Sequence, residues 1–376
     1  MVLEALAPPI LIQSTSQLSK LADELNRHSH IAVDTESNSL HAYRERVCLI
    51  QFSTLENDYL VDPLALDDIS PLEPIFSDPN VEKIFHAAEY DLICLRRDYD
   101  FTFANLFDTM QAGRILGRRQ AGLDRLLDEK FSVKVNKRFQ KADWGIRPLS
   151  RDLVLYARLD THFLIPLRDL LKAELEEKGL WPLAQEDFQM ACIPNGSKPK
   201  SDEPYWARFS ARRDMTSQDL TVLKELALLR DRLAERLDRP PFKVLVDDKL
   251  VAIARAKPST LDDLVGIGLS TKQVEYCGKP VLEAVKRGVE NQLVKREPTQ
   301  RPDEAYMKRL DKLKAWRKKT ADGMNVESDV ILPKSLLMAL AERGAADLNP
   351  IMKNSPWRME KFGTQISNIL GGRDAT

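Results

Sequence analysis

The sequence predicts a mixed α/β domain followed by two all-α domains. Three observations carry this: strand-like apolar runs stop before residue 112, helical periodicity takes over beyond it, and two polar breaks divide the helical part. At 376 residues two or three units are expected. HIAVDTES (30–37), VCLIQFST (47–54) and DYLVDP (58–63) read as strands, and their short polar connections predict an antiparallel meander. EKIFHAA (82–88) and NLFDTM (105–110) flank the helical run DLICLRRDY (91–99). Strands interleaved with helices predict that these later strands run parallel to the first. Residues 149–179 are amphipathic at helical spacing, with Pro166 ending or kinking the run. The breaks PNGSKPKSDEP (194–204) and KREPTQRPDE (295–304) then set domains at 1–200, 205–294 and 300–376.

The two helical segments resemble each other. LALLRDRLAERLDRPPFKVLVDDKLVAIA (226–254) aligns with LKAWRKKTADGMNVESDVILPKSLLMALA (313–341), and an internal duplication is the economical explanation. Each has a helix with Leu-x-x-hydrophobic-Arg, a break, an extended Val-hydrophobic stretch and a Leu-rich helix. Each later reaches an aromatic residue near a glycine, Tyr276–Gly278 and Phe362–Gly363, before a closing helix.

Lys plus Arg (56) nearly balances Asp plus Glu (57), which excludes a uniformly basic nucleic-acid binder and leaves only local patches to attract phosphate. None of the four cysteines shares metal-ligand spacing with another, so reduced thiols are expected. MVLEALAPPILIQS lacks the flank and apolar run of a secretory signal, and no stretch has the apolar length of a membrane span. A soluble cytoplasmic protein follows as the expectation, with a monomer as the default.

The chemical signal lies in carboxylates. Asp34 and Glu36 are two apart on a strand and so share a face. His86-Ala-Ala-Glu-Tyr-Asp91 follows a strand; there Asp91 reads as a helix N-cap or a ligand, and His86 as a packing or hydrogen-bonding residue. Tyr156 and Asp160, four apart in a predicted helix, point the same way, with Arg158 turned elsewhere. Each pattern alone is common on ordinary surfaces. Together they supply four carboxylates, the hard oxygen ligands that magnesium and manganese prefer.

The order D-T-E, H-A-A-E-Y-D, Y-A-R-L-D resembles the DEDD exonucleases with tyrosine in the third motif. FDTMQAGRILG (107–117) and DWGIRPLSRDLVLYA (143–157) resemble the ribonuclease D branch. The resemblance implies a ribonuclease H-like exonuclease domain that binds two divalent ions, Mg2+ or Mn2+, through Asp34, Glu36, Asp91 and Asp160. It implies that Tyr156 positions the attacking water. A phenol with an ordinary pKa near 10 is a poor base, so orientation is favoured over proton abstraction. The helical segments resemble HRDC domains. The second lacks the Pro-Pro-Phe of the first, which points to a docking role, bearing on the first module or shaping a ring-like assembly.

Arg147, Lys137, Arg138 and Lys141 are the expected RNA contacts, beside further basic residues at Arg114, Arg118, Arg119 and Lys134. Tyr205 and Trp206 are expected to pack, and VGIGLS (265–270) to form a turn. The implied activity is removal of nucleoside 5′-monophosphates from RNA 3′ ends, with tRNA precursors as substrates. The alternatives are a 3′→5′ exonuclease acting on DNA, and a non-catalytic RNA-binding scaffold.

Overall fold

The computed structural model describes residues 7–194, 206, 209, 214–295 and 303–371. Residues 195–204 and 296–302 of the two polar breaks, and most of 205–213, fall outside the described residues. Contacts divide the chain into two compact units. Met1–Ser37, Val47–Pro194 and Pro302–Thr376 form one, and Asn38–Arg46 with Asn195–Arg301 form the other. Among the described residues no helix is long and apolar enough to cross a membrane.

The first unit is built on six strands: β1 (Ile10–Ile12), β2 (His30–Ser37), β3 (Val47–Ser53), β4 (Asp58–Val61), β5 (Glu82–Phe85) and β6 (Leu106–Asp108). Their order is β1-β4-β3-β2-β5-β6. The meander β2-β3-β4 is antiparallel, and β5 and β6 run parallel to β2, as the interleaved pattern predicts. β1, parallel to β4, is a strand that the sequence reading did not assign. Parallel β2 and β5 bring their carboxyl ends to the same sheet edge, the usual place for a ligand site in such sheets. A register shift between Glu36 and Ser37 bends β2 at that edge.

Leu18, Leu21, Leu25, Ile31, Val33, Ile84, Leu92, Leu95, Leu167 and Leu171 belong to one buried core. Each such aliphatic side chain contributes about 1.5–3 kcal/mol on burial. A smaller cluster of Cys48, Leu49, Leu60, Trp144, Tyr156 and Ala157 seats helix Arg151–His162 against β3 and β4. The predicted run 149–179 is indeed two helices, Arg151–His162 and Leu164–Glu177, with Pro166 in the first turn of the second.

The second HRDC-like segment packs within this unit. Helix Pro356–Leu370 meets helix Trp181–Cys192 through Arg358, which is fully buried. Its guanidinium pairs with Glu186 and Asp187 and donates to the Val330 and Ile331 carbonyls. Glu186 also accepts the backbone N–H groups of Trp357 and Arg358, capping the helix. The sequence points to the first module as the docking partner; these contacts are instead with the α/β part of the same unit.

In the other unit, helices Ser217–Arg236, Asp247–Ala256, Leu261–Gly266 and Thr271–Glu290 pack around Leu223, Leu226, Leu250, Ile253, Val281 and Ala284. Thr216, Thr260 and Ser270 begin capping boxes. Tyr43, from the segment Asn38–Arg46, donates its backbone N–H to Asp238. Phe209 is buried in this core, and VGIGLS closes as a turn, with Gly268 at a φ of +94°.

Two features of the duplicated pattern differ from expectation. The stretches expected to be extended instead form helical turns, Pro241–Val244 and Ser328–Ile331. The extended part shrinks to Leu245 and Val246 in one copy and to Leu332 in the other. The aromatic–glycine pairs lie inside the closing helices, not before them. A Cβ on Gly278 would come 2.8 Å from Leu261, so glycine is what permits that close approach.

Candidate active site

Alternation along β2 puts Asp34 and Glu36 on one face, and Asp160 approaches them from helix Arg151–His162. One carboxylate oxygen from each of Asp34, Glu36 and Asp160 lies within 4.8 Å of the others. The helix is anchored by contacts distant in sequence. Buried Arg158 donates to Asp58 on β4 at 2.6 Å, and His162 lies 2.9 Å from the same carboxylate. Ser53 on β3 donates to Asp58 at 2.7 Å and lies 2.7 Å from the Thr161 hydroxyl. Burial pushes Asp58 up, but the hydrogen bonds from His162 and Ser53 and the Arg158 guanidinium outweigh it and hold the carboxyl below its usual value.

Asp91 arrives differently. Its helix begins at Glu89, so Asp91 sits inside the first turn and does not cap it. Its carboxylate accepts from the Thr35 backbone N–H at 3.1 Å and from the Thr35 hydroxyl, tying the helix to β2 between the two acids. The turn that delivers it holds Ala87 at a φ of +64°, a strained conformation for alanine. Asp108 at the end of β6 stabilises that turn, accepting the N–H groups of Ala87 and Ala88 at 3.0 and 2.9 Å. The same carboxylate caps helix Thr109–Ile115. His86 bonds Thr109 at 2.9 Å, in keeping with its expected hydrogen-bonding role.

These acids repel one another. Burial, then the charges of Asp91, Asp160 and Glu36, pushes Asp34 well above the carboxylate range. Glu36 is raised by burial and by Asp160 and Asp91. Burial takes Asp91 to about 7 against the Thr35 hydrogen bonds, and takes Asp160 to about 8 against the hydrogen bond from Tyr156. The charges acting most strongly on Asp34 are all of one sign. Carboxylates so placed ionise together when a cation sits among them, and hard oxygen donors suit a divalent ion. Gln51 Oε1, buried beside Asp34, has no hydrogen-bond partner, a second sign that the site is completed by something polar.

Tyr156 is buried against Phe139 and Trp144, with ring centroids 5.8 and 6.1 Å away. Burial, and then Asp160, Glu36 and Asp34, pushes its phenol above the ordinary value. It therefore keeps its proton at neutral pH.

The family described as a 3′-5′ exonuclease matches residues 9–176, and the HRDC domain matches residues 219–285 and 307–370. Ribonuclease D of Gluconacetobacter diazotrophicus is 32% identical over 281 residues, covering 74% of this chain and 71% of that protein. The chain belongs to the ribonuclease D family. The fold of Escherichia coli RNase D superposes with a TM-score of 0.71 at 24% identity, covering 98% of this chain and 100% of that one. The catalytic core of RRP6 from Trypanosoma brucei gives a TM-score of 0.65 at 29% identity, covering 76% and 81%. The exosome complex exonuclease RRP6 of Saccharomyces cerevisiae is 32% identical over 274 residues, which is 69% of this chain and 37% of that protein. The chain thus spans little more than a third of that relative's length.

In this ribonuclease D family member the expected RNA contacts fare unevenly. Arg147 spends all five of its N–H groups internally, on Asp62 twice and on the carbonyls of Trp144, Ile146 and Cys48. Its side chain ties the loop before helix Arg151–His162 to Cys48 on β3 and to Asp62 just after β4. Lys137 lies 2.9 Å from Asp124. Arg138 lies 3.1 Å from Asp152 and its guanidinium sits 4.4 Å from the Phe139 ring centroid. Both side chains are more than half exposed, so these pairings are open to competition from phosphate. Lys141 closes the short 3-10 helix Lys137–Lys141 that carries all three of these cations. Asp58 and Asp108, which hold the catalytic helix and the Asp91 turn, escaped sequence reasoning because their partners lie far along the chain.

Proposed function

We propose that the chain is a metal-dependent 3′→5′ exoribonuclease that removes nucleoside 5′-monophosphates from free RNA 3′ ends. In this reading tRNA precursors are the substrates, two Mg2+ or Mn2+ ions are the cofactors, and the protein works in the cytoplasm as a monomer. One observation carries it: Asp34, Glu36 and Asp160 converge within 4.8 Å, with Asp91 and Tyr156 alongside, in a ribonuclease D family chain.

Asp34, Glu36, Asp91 and Asp160 would hold the ions. When bound, paired divalent ions neutralise the phosphate, acidify the attacking water and stabilise the departing 3′ oxygen. The rest falls to the chain's own side chains. Thr35 keeps Asp91 fixed, and Asp58 holds Arg158 and so the helix that carries Asp160. The Tyr156 phenol, kept protonated, orients the water by hydrogen bonding, while Trp144, Leu49 and Phe139 form an apolar wall behind it. The water adds to phosphorus, the bond from phosphorus to the 3′ oxygen breaks, and the shortened RNA keeps a 3′-hydroxyl. Exposed Lys137, Arg138 and Lys141 are the cations we assign to the RNA backbone.

The test is the cleavage pattern of a 5′-labelled single-stranded RNA with and without Mg2+ or Mn2+, beside a 3′-blocked copy and a matched DNA. A metal-dependent ladder from the 3′ end of RNA, absent when that end is blocked, is the expected result. Faster loss of DNA would transfer the reading to a DNA exonuclease, and intact substrates throughout would leave a binding scaffold.

A further inference from the structure

Gln51 is the cross-strand partner of Asp34, and residues directly opposite on an antiparallel pair project to the same face. Its neighbours on that face of β3 also serve the catalytic helix. Leu49 belongs to the cluster with Tyr156 and Ala157, and Ser53 meets Thr161. Gln51 is fully buried, and its Nε2 donates to Asp34 Oδ2 at 3.3 Å. Its Oε1 is buried too and accepts from nothing. An amide so placed is costly. A buried acceptor left unmatched loses its hydrogen bonds to solvent without replacement, whereas leucine or methionine would fill the same space without that loss.

The groups on its side of the site explain what the amide can match. Asp34, Glu36 and Asp160 offer acceptors once ionised, so Nε2 finds a partner among them and Oε1 does not. A hydrated divalent cation supplies what is missing, because waters around a cation present their hydrogens outward as donors. Resting on the reading above, we propose that Gln51 is a positioning residue of the metal site: Nε2 orients Asp34 toward the ion, and Oε1 receives a hydrogen bond from the ion's water shell. Neutrality is part of the role, since a fifth acid here would add to a repulsion the site already carries.

The experiment compares the full-length wild type with Gln51→Met, titrating each with Mn2+ at one fixed pH by electron paramagnetic resonance, and recording thermal unfolding without metal. The expected result is Mn2+ affinity reduced about 10- to 100-fold, the range typical for losing a partner of a metal ligand, with metal-free Tm unchanged or raised. Gln51→Asn, which withdraws the amide by one methylene, should show a smaller loss of affinity in the same direction and serves if the methionine variant does not fold. Wild-type affinity in a folded variant overturns the proposal, as does a lower metal-free Tm with unchanged affinity, which marks a packing residue. Failure of the wild type itself to bind Mn2+ overturns the metal-dependent reading instead, so the two failures are distinguishable.

Discussion

The guanidinium of Arg114 lies 2.6 Å from the carboxylate of Asp329, and it donates to Glu327 as well. The second HRDC domain thus holds the catalytic domain at two places of unequal burial. Arg114 meets acids that are about half exposed, whereas Arg358 is wholly buried with Glu186. Arg114→Ala is expected to cost no more than about 1 kcal/mol. Arg358→Met strands the buried carboxylate of Glu186 and the partly buried one of Asp187, and should cost about 3–5 kcal/mol. Urea unfolding of the full chain reads both, and equal losses would count against this ranking.

Asp34→Asn removes one of the converging carboxylates while preserving volume. RNA degradation is expected to fall at least about 10³-fold, roughly 4 kcal/mol in the barrier, with RNA binding retained. Single-turnover rates beside filter binding decide it; near-wild-type rates would sink the two-metal proposal.

Tyr156→Phe keeps the ring against Phe139 and Trp144 and loses only the hydroxyl. A fall in kcat of about 10²-fold is expected, the scale of a lost positioning contact, with KM nearly unchanged. Because the phenol is held above its ordinary value, the wild-type rate should show no alkaline rise from its ionisation below pH 10.

Asp91 and Asp160 have folded-state values of about 7 and 8, above the ordinary 3.8. Between about pH 4 and 8 the folded, metal-free protein therefore binds more protons than the unfolded chain, and its stability falls as pH rises. Metal-free Tm should drop from pH 5 to pH 8, and Mn2+ should restore it at pH 8. Asp160→Asn should flatten the decline. A metal-free Tm that climbs through this range would refute the assignment.

Asp58→Ala leaves Arg158 buried without its carboxylate, and a loss of about 3–5 kcal/mol is expected. Activity should fall further than the folded fraction does, because the same helix carries Tyr156 and Asp160. Comparing active-site-titrated kcat with circular dichroism separates the two effects.

The parts legible in the sequence are those written locally. β2, β3 and β4 show as apolar runs closed by polar turns, and Asp34, Glu36, Tyr156 and Asp160 follow from strand and helix periods. β1 is three residues long, too short for a period to register. The Arg158–Asp58 and Arg147–Asp62 pairs join residues far apart in the chain, and no spacing rule predicts which acid an arginine will find. Arg147 shows the same limit: its charge is visible in the sequence and its internal partners are not.

In both helical domains an arginine of the first helix donates to a carbonyl fifteen residues on, Arg230 to Leu245 at 2.8 Å and Arg317 to Leu332 at 2.9 Å. Between these matching clamps the alignment sets Pro240-Pro241-Phe242 against Glu327-Ser328-Asp329. The three aligned positions where one copy carries an exposed Phe242 are those where the other carries the acids that meet Arg114. The clamp is thus common to both copies, while the turn it brackets differs, and in the second copy that turn carries the contact with Arg114. After duplication, one copy could change its address within a single turn of chain while its architecture stayed the same.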